Sequence, residues 1–177
     1  MNKQRIIEQI ETLGLVPVVR AASADEAMRV IDAIKEGGVS VLEITMTVPG
    51  AVKVIEEVVA RYGQEATVGA GTVLDPETAR ACILAGAQFV VSPALNLETI
   101  ALCRRYSVAV MPGALTPTEV VTAWQAGADL VKIFPCGSIT GAPKIMASRI
   151  IASLERWDRG PYTGSIGWLA RDAASMN

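Results

Sequence analysis

Apolar residues along this chain follow two rhythms that take turns. Short runs, alternating or apolar throughout, begin near Val16, Val39, Ala66, Gln88, Val108 and Asp129, and such runs predict strands in a buried sheet. They recur roughly every 20 to 25 residues, with helical patterning in the intervals. One phrase repeats: "KEGGVSVLEIT", "LAGAQFVVSP" and "QAGADLVKIFP" each pass from a helix end through a small-residue turn into a strand. Glycine just past a helix is the usual stop. "SADEAMRVIDAI", "DPETARACIL" and "TPTEVVTAW" predict the helices before those turns, with Ser23 and Asp75 as N-caps and Pro76 in a first turn.

Strands and helices alternating at this spacing predict βα units around a parallel sheet. Two architectures fit, a (β/α)8 TIM-barrel type and a doubly wound sheet. "VGAGTV" has two glycines of the dinucleotide fingerprint but lacks the third and the acidic partner, and no Walker sequence is present. The expected class is therefore α/β, an incomplete (β/α)8 TIM-barrel type with about six βα units. In such barrels the chemistry sits at the carboxyl ends of the strands.

"DLVKIFPCG" breaks its own pattern by placing Lys132 in an apolar run. Period two puts Leu130, Lys132 and Phe134 on one face and Val131 and Ile133 on the other. Lys132 is then either an edge-strand lysine in water or an amine held in an apolar interior, where it serves as a nucleophile. Other strands end in the same way. Glu43 shares a face with Val41 and Thr45, Arg20 with Val16 and Val18, and Thr72 with Val68 and Ala70. Alone, each has an ordinary explanation in a solvated strand end, and Glu43 with Lys132 reads equally as a buried ion pair. Together they supply an amine to attack a ketone, a carboxylate to shuttle protons and a guanidinium to hold a carboxylate, the parts of Schiff-base aldol chemistry.

Composition narrows the field further. The chain has 177 residues, enough for one domain, and its formal net charge of −2 offers no basic face for nucleic acid. The absence of histidine removes Ser-His and Cys-His pairs and argues against catalytic zinc or non-haem iron. Cys82, Cys103 and Cys136 have no metal-type spacing and read as free thiols of a reducing compartment. No apolar run spans a membrane, and the charged amphipathic start is unlike a signal peptide, so a cytoplasmic location is expected.

Over residues 1 to 137 the stretches "PVVRAASADEA", "GGVSVLEITMTVPGA", "VGAGTVLDPE", "AGAQFVVSP", "MPGALTPTEV" and "AGADLVKIFP" resemble, in order and spacing, the bacterial 2-keto-3-deoxy-6-phosphogluconate (KDPG) / 4-hydroxy-2-oxoglutarate (KHG) aldolase family. The resemblance implies a cofactor-free, metal-free homotrimer acting on a small 2-oxo acid. It makes Lys132 the Schiff-base lysine and Glu43 the general acid/base. It has Thr72 and Thr45 hold the pyruvate moiety, and Pro93 and Phe134 line the pocket. Many members carry an arginine for the pyruvate carboxylate two residues after the threonine of the Glu-x-Thr segment, where this chain has Thr47. Members of the "EIT-x-T-VP" form have one closing the first strand, which assigns that clamp to Arg20.

Beyond Pro135 the motifs change. The family would continue into a Pro-Thr-Gly-Gly phosphate loop and an eighth strand ending in Gly-Ser, whereas "GSITGAPKIMASRIIASLERWDRGPYTGSIGWLARD" resembles a piece of the chorismate-utilising enzymes around their "TGAPK" segment. Arg149 stands where that family has a metal-binding glutamate. Residues 138–177 are thus expected to pack as a helix, with Pro143 near its start and Ile145, Ile150, Leu154 and Trp157 as its stripe, followed by a strand-like "YTGSIGWLA" in the seventh strand's place. Thr163, Gly164 and Ser165 are the candidate phosphate contacts, and an eighth strand is expected to be missing. The function expected is a class I aldolase cleaving 2-dehydro-3-deoxy-6-phosphogluconate or 4-hydroxy-2-oxoglutarate to pyruvate and an aldehyde. The alternatives are an inactive barrel fragment or binding module and, third, a chorismate-binding fragment.

Overall fold

The computed structural model describes residues 2–133 and two further strands, Gly167–Ala170 and Ala173–Met176. In chain order the elements are α1 (Lys3–Leu13), β1 (Val18–Val19), α2 (Ala24–Glu36), β2 (Val41–Thr45), α3 (Ala51–Tyr62), β3 (Thr67–Gly71), α4 (Pro76–Leu84), β4 (Phe89–Val91), α5 (Leu97–Arg105), β5 (Ala109–Met111), β6 (Gly113–Ala114), α6 (Pro117–Ala126), β7 (Lys132–Ile133), β8 (Gly167–Ala170) and β9 (Ala173–Met176). The helices start where their caps dictate. Ser23, Asp75, Asn96 and Thr116 each accept a backbone N–H from the first turn, and Thr116 with Glu119 completes a capping box.

β1 to β5 form one parallel sheet in sequential order. A doubly wound sheet reverses direction partway across, and this one does not. β5 and β6 are one strand interrupted at Pro112, which has no N–H to give the ladder. β6 carries the order on to β7, also in parallel. The Asp129 carboxylate bridges the interruption by accepting the Val110 N–H at 3.0 Å. Among the described residues the sheet does not close, because β1 and β7 share no ladder.

The two faces of the sheet bury different partners. Val19, Leu42, Ile44, Val68, Ala70, Val90 and Val110 pack against the helix layer with Ile31, Val54, Ile55, Val58 and Ile100. Val41, Phe89, Val91, Ala109 and Met111 face the concave interior with Ile6 and Ile10 of α1. Burial of each of the larger side chains contributes about 1.5–3 kcal/mol, so the outer layer holds the sheet and α1 plugs its amino-terminal mouth. Gln9 fastens that plug, accepting from Thr67 Oγ1 at 2.7 Å and donating to Ser40 Oγ at 3.2 Å, while Lys3 pairs with Asp129 at 2.7 Å. None of these contacts follows from periodicity, and all three leave the opposite mouth open.

β8 pairs antiparallel with β9 as a separate two-stranded sheet. The described part of "YTGSIGWLA", Gly167–Ala170, is thus a strand whose ladder runs to β9. The helix expected from Pro143 to Trp157, the residues Cys136 and Arg149, and the joint near residue 137 lie outside the described residues.

Thr99 in α5 is 1% exposed, and its hydroxyl has no hydrogen-bond partner among the described residues. Its backbone N–H already goes to the Asn96 side chain. Thr99→Val keeps the shape and removes an unpaired polar atom, so urea unfolding should show a stabilisation of about 1 kcal/mol.

Candidate active site at the carboxyl ends of the strands

All five residues of β2 are buried, and Glu43, at 5% exposure, sits at its centre. Its neighbours in register are Val18 on β1 and Gly69 on β3, with Phe89 next in the same row. The row belongs to the concave face, since Leu42 and Ile44 pack outward. Among the described residues the Glu43 carboxylate has no hydrogen-bond partner. Burial pushes its carboxyl above the ordinary range, while the positive charges of Lys132 and then Arg20 pull it down. Both charges thus bear on one carboxylate, the amine of β7 ahead of the guanidinium after β1.

Lys132 faces the same interior. Val131 and Ile133 pack outward with Ala114 and Val120, and Leu130 packs with the concave cluster. Alternation therefore turns Lys132 inward beside Gly113, its partner in register. It is half-buried. The ion pairs among the described residues are Lys3–Asp129 and Arg61–Asp32, so Lys132 and Glu43 are close enough to feel each other but not in contact. The buried-ion-pair reading is therefore set aside.

Arg20 follows β1 and is exposed at the rim rather than tucked against Val18, itself 37% exposed. Thr45, at 0% exposure, donates its hydroxyl to the Val19 carbonyl at 3.1 Å and accepts from Thr47 at 2.7 Å. Its hydroxyl ties the ends of β1 and β2 together, which suits it to positioning Arg20 rather than to touching a ligand. Pro93 is exposed two residues past β4. Phe134, Thr163, Gly164 and Ser165 lie outside the described residues.

Thr72 departs from the alternation that grouped it with Val68 and Ala70. Those two face the helices, whereas β3 ends at Gly71 and Thr72 adopts φ +59, half-buried. A β-branched residue in the left-handed region costs about 1–3 kcal/mol, a strain that proteins retain mostly where it places a functional group. The sequence pattern also missed Gly69 and Gly71. A Cβ at Gly69 would lie 2.1 Å from the Phe89 ring, and one at Gly71 would lie 1.8 Å from Glu43 Oε1. "VGAGT" is thus a bare stretch of strand over which neighbouring side chains lean. Burial of Cys82 and Cys103 pushes their thiols up to about 11 and about 12, which makes them core residues rather than nucleophiles. The described residues contain no group of three or more His, Cys, Asp or Glu placed to hold a metal ion.

Sequential parallel strands, an outer helix layer and polar groups gathered at the carboxyl ends place the chain among the βα-barrel proteins. It belongs to the KDPG and KHG aldolase family, whose model matches residues 6–153. The match runs past residue 137, so the aldolase family pattern reaches into the segment that carries "TGAPK". The chain is 38% identical over 123 residues to the 2-dehydro-3-deoxy-6-phosphogalactonate aldolase of Escherichia coli, covering 70% of this chain and 60% of that one. It is 34% identical over 145 residues to the 2-dehydro-3-deoxy-phosphogluconate aldolase of Treponema pallidum, covering 80% and 67%. Among solved structures it superposes on the 2-keto-3-deoxy-6-phosphogluconate aldolase of Zymomonas mobilis with 3-phosphoglycerate, at a TM-score of 0.69 and 27% identity, covering 85% and 71%. The Legionella pneumophila KDPG aldolase, with pyruvate captured as a covalent carbinolamine, gives a TM-score of 0.65 at 27% identity, covering 80% and 67%. The chain thus spans 60% and 67% of the length of these two curated relatives.

Proposed function

We propose that the protein is a class I aldolase that cleaves 2-dehydro-3-deoxy-6-phosphogluconate or 4-hydroxy-2-oxoglutarate to pyruvate and an aldehyde. The observation that carries this reading is Glu43, a carboxylate buried on the inward face of β2, facing the same interior as Lys132 of β7 in a chain of the aldolase family. The Lys132 amine attacks the C2 ketone, forming the C–N bond of a carbinolamine, which loses water to become a protonated imine. Glu43 takes the C4 hydroxyl proton, directly or through a water. The C3–C4 bond breaks, its electron pair flows into the imine to give an enamine, and the aldehyde departs. Glu43 returns the proton to C3, and hydrolysis of the imine releases pyruvate and the amine. Arg20 holds the substrate carboxylate, with Thr45 and Thr47 bracing the strand end that carries it. Pro93 and Phe134 line the pyruvate pocket beside Thr72. Thr163, Gly164 and Ser165 are the proposed contacts for a phosphate at the far end.

The proposal extends to a cytoplasmic homotrimer, with a division of the chain near residue 137. No helix among the described residues is long and apolar enough to cross a membrane. Incubation with pyruvate and borohydride tests the chemistry, because an imine-former gains a covalent mass and an inert barrel piece does not. The added mass is expected on Lys132. Label at comparable yield on Lys3, Lys35, Lys53 or Lys144, or no label at all, would remove the assignment.

Arg20→Leu is expected to raise the pyruvate KM while changing kcat little. A clamp on a carboxylate present in both ground and transition states contributes uniform binding. A steady-state KM equal to the wild type's would move the clamp to another residue.

A further inference from the structure

We propose that Gly71 is a positioning residue of this site: the space left by its missing side chain is the seat of the Glu43 carboxylate, so the residue at 71 sets where that carboxylate meets a substrate. The inference rests on the aldolase reading for its consequences in turnover and on geometry alone for the seat itself. A Cβ at Gly71 would lie 1.8 Å from Glu43 Oε1, 2.5 Å from Cδ and 2.7 Å from Cγ. Gly71 is paired in register with Thr45, two residues beyond Glu43 on β2. The Glu43 side chain therefore leans towards the strand ends and across onto β3, over a residue that offers only backbone.

Three further features fix that direction. The neighbouring place, over Gly69, is taken by the fully buried Phe89 ring, so Glu43 cannot settle straight across the row. Thr45, beside Gly71, is fully buried and committed to Val19 and Thr47. At Thr72 the chain turns into the left-handed region, so Gly71 is the last strand residue before the loop. The carboxylate thus lies at the level where the strands end, within reach of the charges of Lys132 and Arg20. A methyl group would force it towards the open mouth, because the Phe89 ring over Gly69 closes the way back along β2. Misplacement of a proton-transfer group by about 1 Å can cost about 10²-fold.

The seat can be tested without any substrate. In protein labelled with 13C at the glutamate carboxyl, the Glu43 signal is the one missing from Glu43→Gln. In the wild type it should titrate above the exposed glutamates. The groups that face it are Lys132 from β7 and Arg20 after β1, and Gly71→Ala alters neither. The Gly71→Ala signal should nevertheless titrate lower, towards the exposed glutamates, because the methyl displaces the carboxylate from its buried seat. An unmoved midpoint overturns the proposal.

With pyruvate, Gly71→Ala should slow methyl proton exchange by ~10-fold or more while borohydride labelling of Lys132 stays within about two-fold. Adding Glu43→Asp, which withdraws the carboxyl by one methylene, should recover part of that exchange. Loss of labelling together with exchange, with no recovery in the double variant, would make Gly71 a general requirement of the fold and overturn the proposal. Should Gly71→Ala fail to fold, the double variant should fold, since it removes the overlap with Oε1 and leaves a shorter side chain to give way at Cγ; an unfolded double variant overturns the proposal equally. Absence of labelling in the wild type would end the aldolase reading and leave the titration to decide the seat.

Discussion

Lys132→Met is expected to abolish labelling by pyruvate and borohydride and to lower aldol cleavage by ~10⁴-fold or more, the scale on which loss of a covalent nucleophile is felt. Methionine keeps the unbranched length of the side chain and removes only the amine, so the packing of Leu130 below and Val131 and Ile133 behind it is undisturbed. Lys132→Arg should fail as completely, because a guanidinium keeps the charge but forms no imine under these conditions. The pair of variants thus separates nucleophile from cation. If arginine preserved activity, Lys132 would be acting by charge alone.

The Lys132 substitutions carry a second readout in Glu43. Lys132 is the larger of the two charges that hold the Glu43 carboxyl down against burial. Its removal should raise the pH at which Glu43 loses its proton, whereas Lys132→Arg should leave that pH nearly where it was. Carboxyl titration in the two variants checks this. An equal response to methionine and arginine would mean that Lys132 lies farther from Glu43 than the electrostatics place it.

Strand and helix order was legible because buried sheets and amphipathic helices each impose a period, and side-chain oxygens at Ser23 and Asp75 mark where helices begin. Alternation also read the inward face of β7 correctly, because Leu130, Val131 and Ile133 leave Lys132 one direction. It failed at Thr72, where a positive φ ends the strand's period, a backbone event that no side-chain pattern records. It was silent on Gly71 for the opposite reason. A glycine chosen for the side chain leaning over it looks, in sequence, like a glycine chosen for a turn. The hydroxyl chain from Thr47 through Thr45 to the Val19 carbonyl joins residues 26 apart in sequence and exists only once two strands are paired. Gln9 is similar, since its partners Ser40 and Thr67 reach it only after α1 has docked. For β8, periodicity marked a strand but carried nothing about its direction, which its pairing with β9 sets as antiparallel.

Glu43→Gln should lower cleavage by ~10²–10⁴-fold, the usual contribution of a positioned acid/base, while pyruvate still labels Lys132. The amide is isosteric and neutral, so the seat over Gly71 stays filled and the imine still forms. Proton exchange at the pyruvate methyl should fall with cleavage, since both need the same group to move a proton. Stability should shift the other way. A carboxyl whose proton is held more tightly in the folded than in the unfolded chain favours folding most at low pH. That advantage is lost as pH rises from the unfolded value, near 4.5, through the raised folded value. The wild type should therefore lose stability relative to Glu43→Gln across that window and remain the less stable of the two at neutral pH. Denaturant midpoints for both proteins at pH 4 and pH 7, set beside the exchange rates, decide the matter. A variant both slower and less stable at pH 7 would place Glu43 among the groups that hold the fold together, and exchange at the wild-type rate would remove it from the chemistry.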